Sequence, residues 1–130
     1  MATINSFEDL KIWQLARKIC QIIFNYTNRA PFINDFSLKD QIRRSSGSVM
    51  DNISEGFERD GRKEFIQHLS IAKGSCGECR SQLYRAIDRG YINNSEFDEL
   101  YELITTESQK IGSFLKYLKN SDYKGTKYKK

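Results

Sequence analysis

The chain has 130 residues, enough for one domain with a single sizeable core, and carries a formal net charge of +4. One proline and eight glycines are too few chain breakers for an all-β fold rich in turns. No basic stretch followed by an apolar run opens the sequence, and no apolar segment reaches the roughly 20 residues a bilayer span needs. A soluble, cytoplasmic protein with no membrane partner is therefore expected.

A first helix is expected over 7–28, started by Ser6 and Asp9 in a pattern close to a capping box. Leu10, Trp13, Ala16, Cys20, Ile23 and Thr27 alternate three and four apart and form a heptad seam, which Ile12, Ile19, Ile22 and Tyr26 widen. Pro31 stops this helix, because the residue before a proline is pushed out of the helical region. Phe32, Ile33 and Phe36 make the connection apolar, so it should pack on the end of a bundle.

Ser37 with Asp40 repeats the start pattern and opens a second helix over 38–58. This helix has two faces. Leu38, Ile42, Val49, Ile53 and Phe57 form an apolar stripe; Gln41, Arg44, Ser48, Asn52, Glu55 and Arg59 form a polar row roughly 120° away. Asparagine in mid-helix competes with the backbone, so Asn52 is expected to bond another helix or another subunit. Gln41, Ser48, Asn52 and Glu55 are the candidate inter-helix or inter-subunit row. The bland alternative is a solvated face with a Glu55–Arg59 pair worth a few tenths of a kcal/mol.

Asp60-Gly61 is a tight break, and either residue can cap a third helix over 62–89. Its seam is Phe65, Leu69, Ala72, Cys76, Cys79, Leu83 and Ala86, and Gly90 is expected as its left-handed C-cap. Small residues at 45–48, with Gly74, Ser75 and Gly77, suggest close packing of the second helix on the third or on a neighbouring subunit; a ligand gap is the alternative. Ser95 with Asp98 starts a fourth helix over 96–119, acidic in its first turns and basic at its end, as the helix dipole favours. Residues 120–130 lack apolar periodicity and should form a basic disordered tail. Four helices with short loops make residues 1–119 an all-α, antiparallel up-down four-helix bundle.

Several pieces of this pattern are familiar together: Phe7-Glu8-Asp9-Leu10 with Trp13 and Ala16; Leu38 and Gln41-Ile42-Arg43-Arg44; Ser48-Val49, Asn52-Ile53 and Glu55-Gly56; Glu64-Phe65, Ala72, Gly74-Ser75, Glu78 and Gly90-Tyr91. On these residues the chain, up to about Leu118, resembles the proteins encoded by intervening sequences in bacterial 23S ribosomal RNA genes. That family also includes the accessory variability protein of diversity-generating retroelements. Ser45 and Ser46 stand where alanines are usual, Met50 where proline is often seen, and Cys76 and Cys79 where leucine-like residues are usual. The resemblance implies a left-handed four-helix bundle assembled as a ring-like homopentamer, with no known catalytic activity. In the retroelement members it implies binding of a reverse transcriptase and of nucleic acid through a basic surface.

Cys76-Gly77-Glu78-Cys79 has the spacing of a redox or zinc half-site, but both cysteines and Cys20 fall on apolar seams, where a free thiol packs as a small hydrophobe. The one histidine, His68, lies two turns away on another face and is expected to pair with Glu64 at the surface. No nucleophile elbow or phosphate-cradling glycine loop is present. No catalytic residue, metal, cofactor or small-molecule substrate is expected.

From Lys119 onward the chain holds five lysines and one aspartate, whereas the first 118 residues hold 16 basic and 16 acidic residues. A folded basic face is therefore the sharper question. Arg43, Arg44, Arg59, Arg62, Lys63 and Arg80, with Lys124 and Lys127 of the tail, are the candidate contacts to RNA or DNA. They would hold backbone phosphates without base readout, since no aromatic platform is evident beside the arginines. The competing reading is an assembly scaffold that binds a protein and makes no nucleic-acid contact.

Overall fold

The expected periodicities become four helices in the computed structural model, which describes residues 4–121. They are α1 (Lys11–Thr27), α2 (Phe36–Glu58), α3 (Arg62–Asp88) and α4 (Asn94–Lys119), with short 3-10 turns at Phe7–Asp9 and Phe32–Asn34. No strand occurs among the described residues. Nearly all of the expected tail lies outside them.

Cross-helix contacts fix the order and direction of the helices. Pairs between α2 and α3 run from Gln41–Arg85 at one end to Asn52–His68 towards the other, so the two are antiparallel. Tyr84 packs against Phe97, and Phe65 against Phe114, which makes α3 and α4 antiparallel too. Each helix contacts the next, and α1 closes on α4. The result is the up-down four-helix bundle that the short loops imply.

The α3 seam is buried throughout, from Phe65 to Ala86, as its 4-3 spacing requires. Phe65 meets the rings of Phe57 and Phe114 edge-on, at 5.9 and 5.4 Å between centroids, and closes one end of the core. Phe32 stacks on Tyr91 at 4.8 Å and closes the other. On α1 the expected seam is buried at Leu10, Ala16, Ile23 and Thr27 and departs from expectation at two positions. Ile12 and Ile19 are buried with Ala16 and Ile23, while Trp13 and Cys20 are half-buried. The helix packs on both α2 and α4, so its buried arc is centred between two stripes.

Helix starts differ from the Ser-x-x-Asp expectation in three places. Ser6 donates to Asp9 at 3.3 Å, side chain to side chain, and caps no backbone group; Leu10 is extended and α1 starts after it. The cap of α2 is Asp35, which accepts from the Leu38 N–H at 3.2 Å. Its other oxygen accepts from Tyr91 Oη and from Arg89, both at 2.8 Å. The Tyr91 bond, then the Leu38 N–H and Arg89, hold this carboxyl below the usual carboxylate range. At α4, Asn93 and Glu96 form a full capping box, with bonds of 2.8 and 3.0 Å.

Candidate nucleic-acid interface

The polar row of α2 divides in two. Gln41, Ser48 and Asn52 turn to α3. Arg85 donates to Gln41 Oε1 at 2.8 Å, Ser45 to Gln82 at 2.6 Å, and the hydroxyls of Ser48 and Ser75 lie 2.9 Å apart. Asn52 Oδ1 lies 2.9 Å from His68 Nδ1, while its Nδ2 donates to the carbonyl and hydroxyl of Ser48 at 2.9 and 3.0 Å. His68 is thus bonded across the helix pair to Asn52, and the expected Glu64 pairing is absent. Sequence spacing finds only partners on the same helix.

The rest of the row faces outward. Arg44 pairs with Asp40 at 2.9 Å and Arg59 with Glu55 at 2.8 Å, both four apart on α2 and exposed. Such pairs contribute only a few tenths of a kcal/mol. Glu55 therefore does not join the inter-helix contacts within the chain.

The small residues also sort differently from expectation. A Cβ at Gly56 would sit 2.6 Å from His68 Cβ and 3.0 Å from Phe65 Cδ1, so α2 and α3 approach closely there. At Gly47 and Gly74 a Cβ would meet nothing within 4 Å, and at Gly77 only the tip of Arg80 at 3.9 Å. Gly47 and Gly74 line open grooves, and none of the three brings the helices of one chain together, whereas Ser45 and Ser48 do bond α3.

The candidate cations lie on several surfaces. Arg43 donates to Thr27 Oγ1 at 2.8 Å and lays its guanidinium 4.7 Å from the centroid of Phe24, in a groove between α1 and α2 that Arg17, Gly47 and Met50 also line. Arg62 donates to the Ser121 carbonyl, tying the start of α3 to the end of α4. Lys63 is exposed and Arg80 half-buried. Lys124 and Lys127 lie outside the described residues.

Rings do sit beside arginines, contrary to expectation: besides Phe24 under Arg43, Tyr26 lies 4.7 Å from the Arg29 guanidinium and Trp13 lies 6.0 Å from that of Arg17, and α3 and α4 share an exposed aromatic cluster. Tyr84 of α3 lies 5.0 Å from Phe97 and 5.9 Å from Tyr101 of α4, and half of it is exposed. Its hydroxyl is pushed up chiefly by Tyr101, which the Arg80 charge partly offsets. The two helices each carry part of this cluster, so neither stretch shows it alone.

The basic run expected along α3 includes Lys73, but the sequence does not join it to Lys116 and Lys119 at the basic end of α4. With Ser70, Gly74, Gly112, Leu115 and Asn120 these three lysines line a groove of about 770 Å³ between α3 and α4. A signal was available: residues 65–77 and 108–120 contain no acidic residue. The antiparallel pairing of α3 and α4 sets these two stretches side by side.

The cysteines are not poised for chemistry. Burial pushes the thiols of Cys76 and Cys79 up to about 12, so neither is a thiolate at neutral pH. Among the described residues no group of three or more His, Cys, Asp or Glu side chains is placed to hold a metal ion, and no helix is long and apolar enough to cross a membrane. Glu107 is fully buried and neither of its oxygens has a hydrogen-bond partner; desolvation pushes its carboxyl up to about 8.

Residues 8–113 match the family model described as 23S rRNA-intervening sequence protein. The chain belongs to that family. Among solved structures, this 23S rRNA-intervening sequence family member is similar to a protein of unknown function of the S23 ribosomal protein family from Bacteroides thetaiotaomicron. The two are 24% identical, superpose with a TM-score of 0.74, and the likeness covers 81% of this chain and 98% of the other. That likeness is one of fold. No curated protein matches this chain.

Proposed function

We propose that this family member is a non-enzymatic, oligomeric protein that binds nucleic acid, either structured RNA or an RNA–protein complex, by its phosphates. The observation that supports this reading is a division among the cations. Arg29, Arg44, Arg59 and Arg89 are neutralised by Glu96, Asp40, Glu55 and Asp35. Arg43, Arg62, Lys63 and Arg80 have no carboxylate partner among the described residues, and their charge is available to a polyanion. A cytoplasmic ring-like homopentamer would repeat each patch around its axis and turn weak contacts into avid ones. The test is anisotropy of labelled structured RNA across a salt series, beside light scattering of the free protein. Binding that weakens steeply with salt is expected; absent or salt-insensitive binding rejects the reading, and a monomer at micromolar concentration rejects the ring.

The half-exposed Tyr84, Phe97 and Tyr101 cluster favours a second reading, a scaffold whose partner is a protein such as a reverse transcriptase. Capture of that partner after nuclease treatment, lost on Tyr84→Ala, supports it.

A further inference from the structure

We propose that the groove between α3 and α4 is where the phosphodiester backbone lies, held by Lys73, Lys116 and Lys119. The inference rests on the nucleic-acid reading and gives it a place. Three features carry it: charge, access and shape.

The charge is of one sign. Three lysines line the groove and, among the described residues, no acidic residue does. None of the three has a carboxylate partner among the described residues, and no acidic side chain occurs in either flanking stretch, 65–77 or 108–120. Lysine ammonium groups act on phosphate as unneutralised point charges. The groove between α1 and α2 also has only cations, Arg17 and Arg43, among its charged lining residues, but Phe24, Met50 and Cys20 line it too, and the Arg43 guanidinium lies against Phe24 and bonds Thr27.

Access comes from the glycines. A Cβ at Gly74 would meet nothing within 4 Å, so the helix backbone is open there. A Cβ at Gly112 would lie 3.3 Å from Lys73 Cε, so the lysine stem crosses α4 at its one position without a side chain. A glycine in a helix interior disfavours the helix, and close approach by a ligand would account for the one at 74, while Gly112 makes room for the Lys73 stem. Ser70 and Asn120 add a hydroxyl and an amide that can donate to phosphate oxygens.

The shape selects a chain over a single anion. Lys116 and Lys119 follow one another along α4, and Lys73 faces them from α3, so the charges border an elongated trough. Arg62, bonded to Ser121 just beyond the end of α4, stands at one end of that trough.

The test uses the full chain and labelled RNA hairpins and single strands in an anisotropy titration at several salt concentrations. Four proteins are compared: wild type, the Lys73→Ala/Lys116→Ala/Lys119→Ala variant, a Lys11→Ala/Lys18→Ala/Lys39→Ala variant with the same net charge, and Gly74→Gln. The groove variant is expected to lose at least about tenfold in affinity, and its log–log salt slope to fall by about two to three, while the control keeps the wild-type slope more closely. Gly74→Gln keeps every charge and gains helix propensity, and is expected to bind more weakly because the trough is filled. If wild type binds and the groove variant behaves like the control, this site is overturned and the broader reading stands. If wild type binds no RNA at low salt, the broader reading falls. If polyglutamate competes as well as RNA, the assignment to a nucleic-acid backbone is overturned. Unchanged binding by Gly74→Gln, with its fold confirmed by circular dichroism, removes the trough as the path of the chain.

Discussion

Asn52 and His68 are bonded across the α2–α3 pair, Oδ1 to Nδ1 at 2.9 Å. The Asn52 amide nitrogen already donates to Ser48, so its oxygen is the acceptor and the imidazole Nδ1 carries the hydrogen. This bond, with Ser48–Ser75, Ser45–Gln82 and Gln41–Arg85, sets the register of two long helices whose apolar seams alone would tolerate a slip of one heptad.

Asn52→Ala leaves a partly buried imidazole nitrogen without its partner. A loss of about 1–3 kcal/mol in urea unfolding is expected. The Asn52→Ala/His68→Ala double variant should lose less than the two single losses added, which a double-mutant cycle measures.

Gly56→Ala places a methyl against His68 and Phe65, at separations no side chain tolerates without backbone movement. Destabilisation by about 1–3 kcal/mol is expected. Gly47→Ala puts the same methyl into open space and removes a helix-interior glycine, so it should stabilise by roughly 0.5–1 kcal/mol. Opposite shifts in melting temperature check both.

Glu107 makes stability fall with rising pH. Its folded value, about 8, exceeds the ordinary 4.5, chiefly through burial, which Lys110 only partly offsets. The folded state therefore holds a proton that the unfolded chain releases. That contribution is complete below about pH 4.5 and is lost as pH rises through about 8. Glu107→Gln should raise the melting temperature more at pH 9 than at pH 5, and a series of melts between those values reads the difference.

Asp60 follows the C-terminus of α2 with φ +66°, a left-handed conformation in which its Cβ is crowded. Its charge lies between the negative end of α2 and the positive end of α3, whose effects oppose one another, so the backbone conformation dominates. Asp60→Gly relieves that conformation, and a gain of about 1 kcal/mol in chemical denaturation is expected.

Local chemistry made much of this fold legible. The 4-3 spacing of Phe65 to Ala86 is a property of one helix, so it needs no partner to be read, and Gly90 takes its positive φ because the next turn demands it. Mid-helix Asn52 announced a bond to another element for the same reason: its own helix disfavours it. Other features depend on distant parts of the chain meeting. Asp35 became the α2 cap because Arg89 and Tyr91, more than 50 residues away in sequence, grip its other oxygen. On α1, Ile12 and Ile19 are buried more deeply than Trp13 and Cys20 because two neighbours share that helix. Lys73 and Lys116 face one trough only because α3 and α4 run antiparallel, and no one-dimensional spacing records which lysine will be short of a carboxylate once the helices are in place.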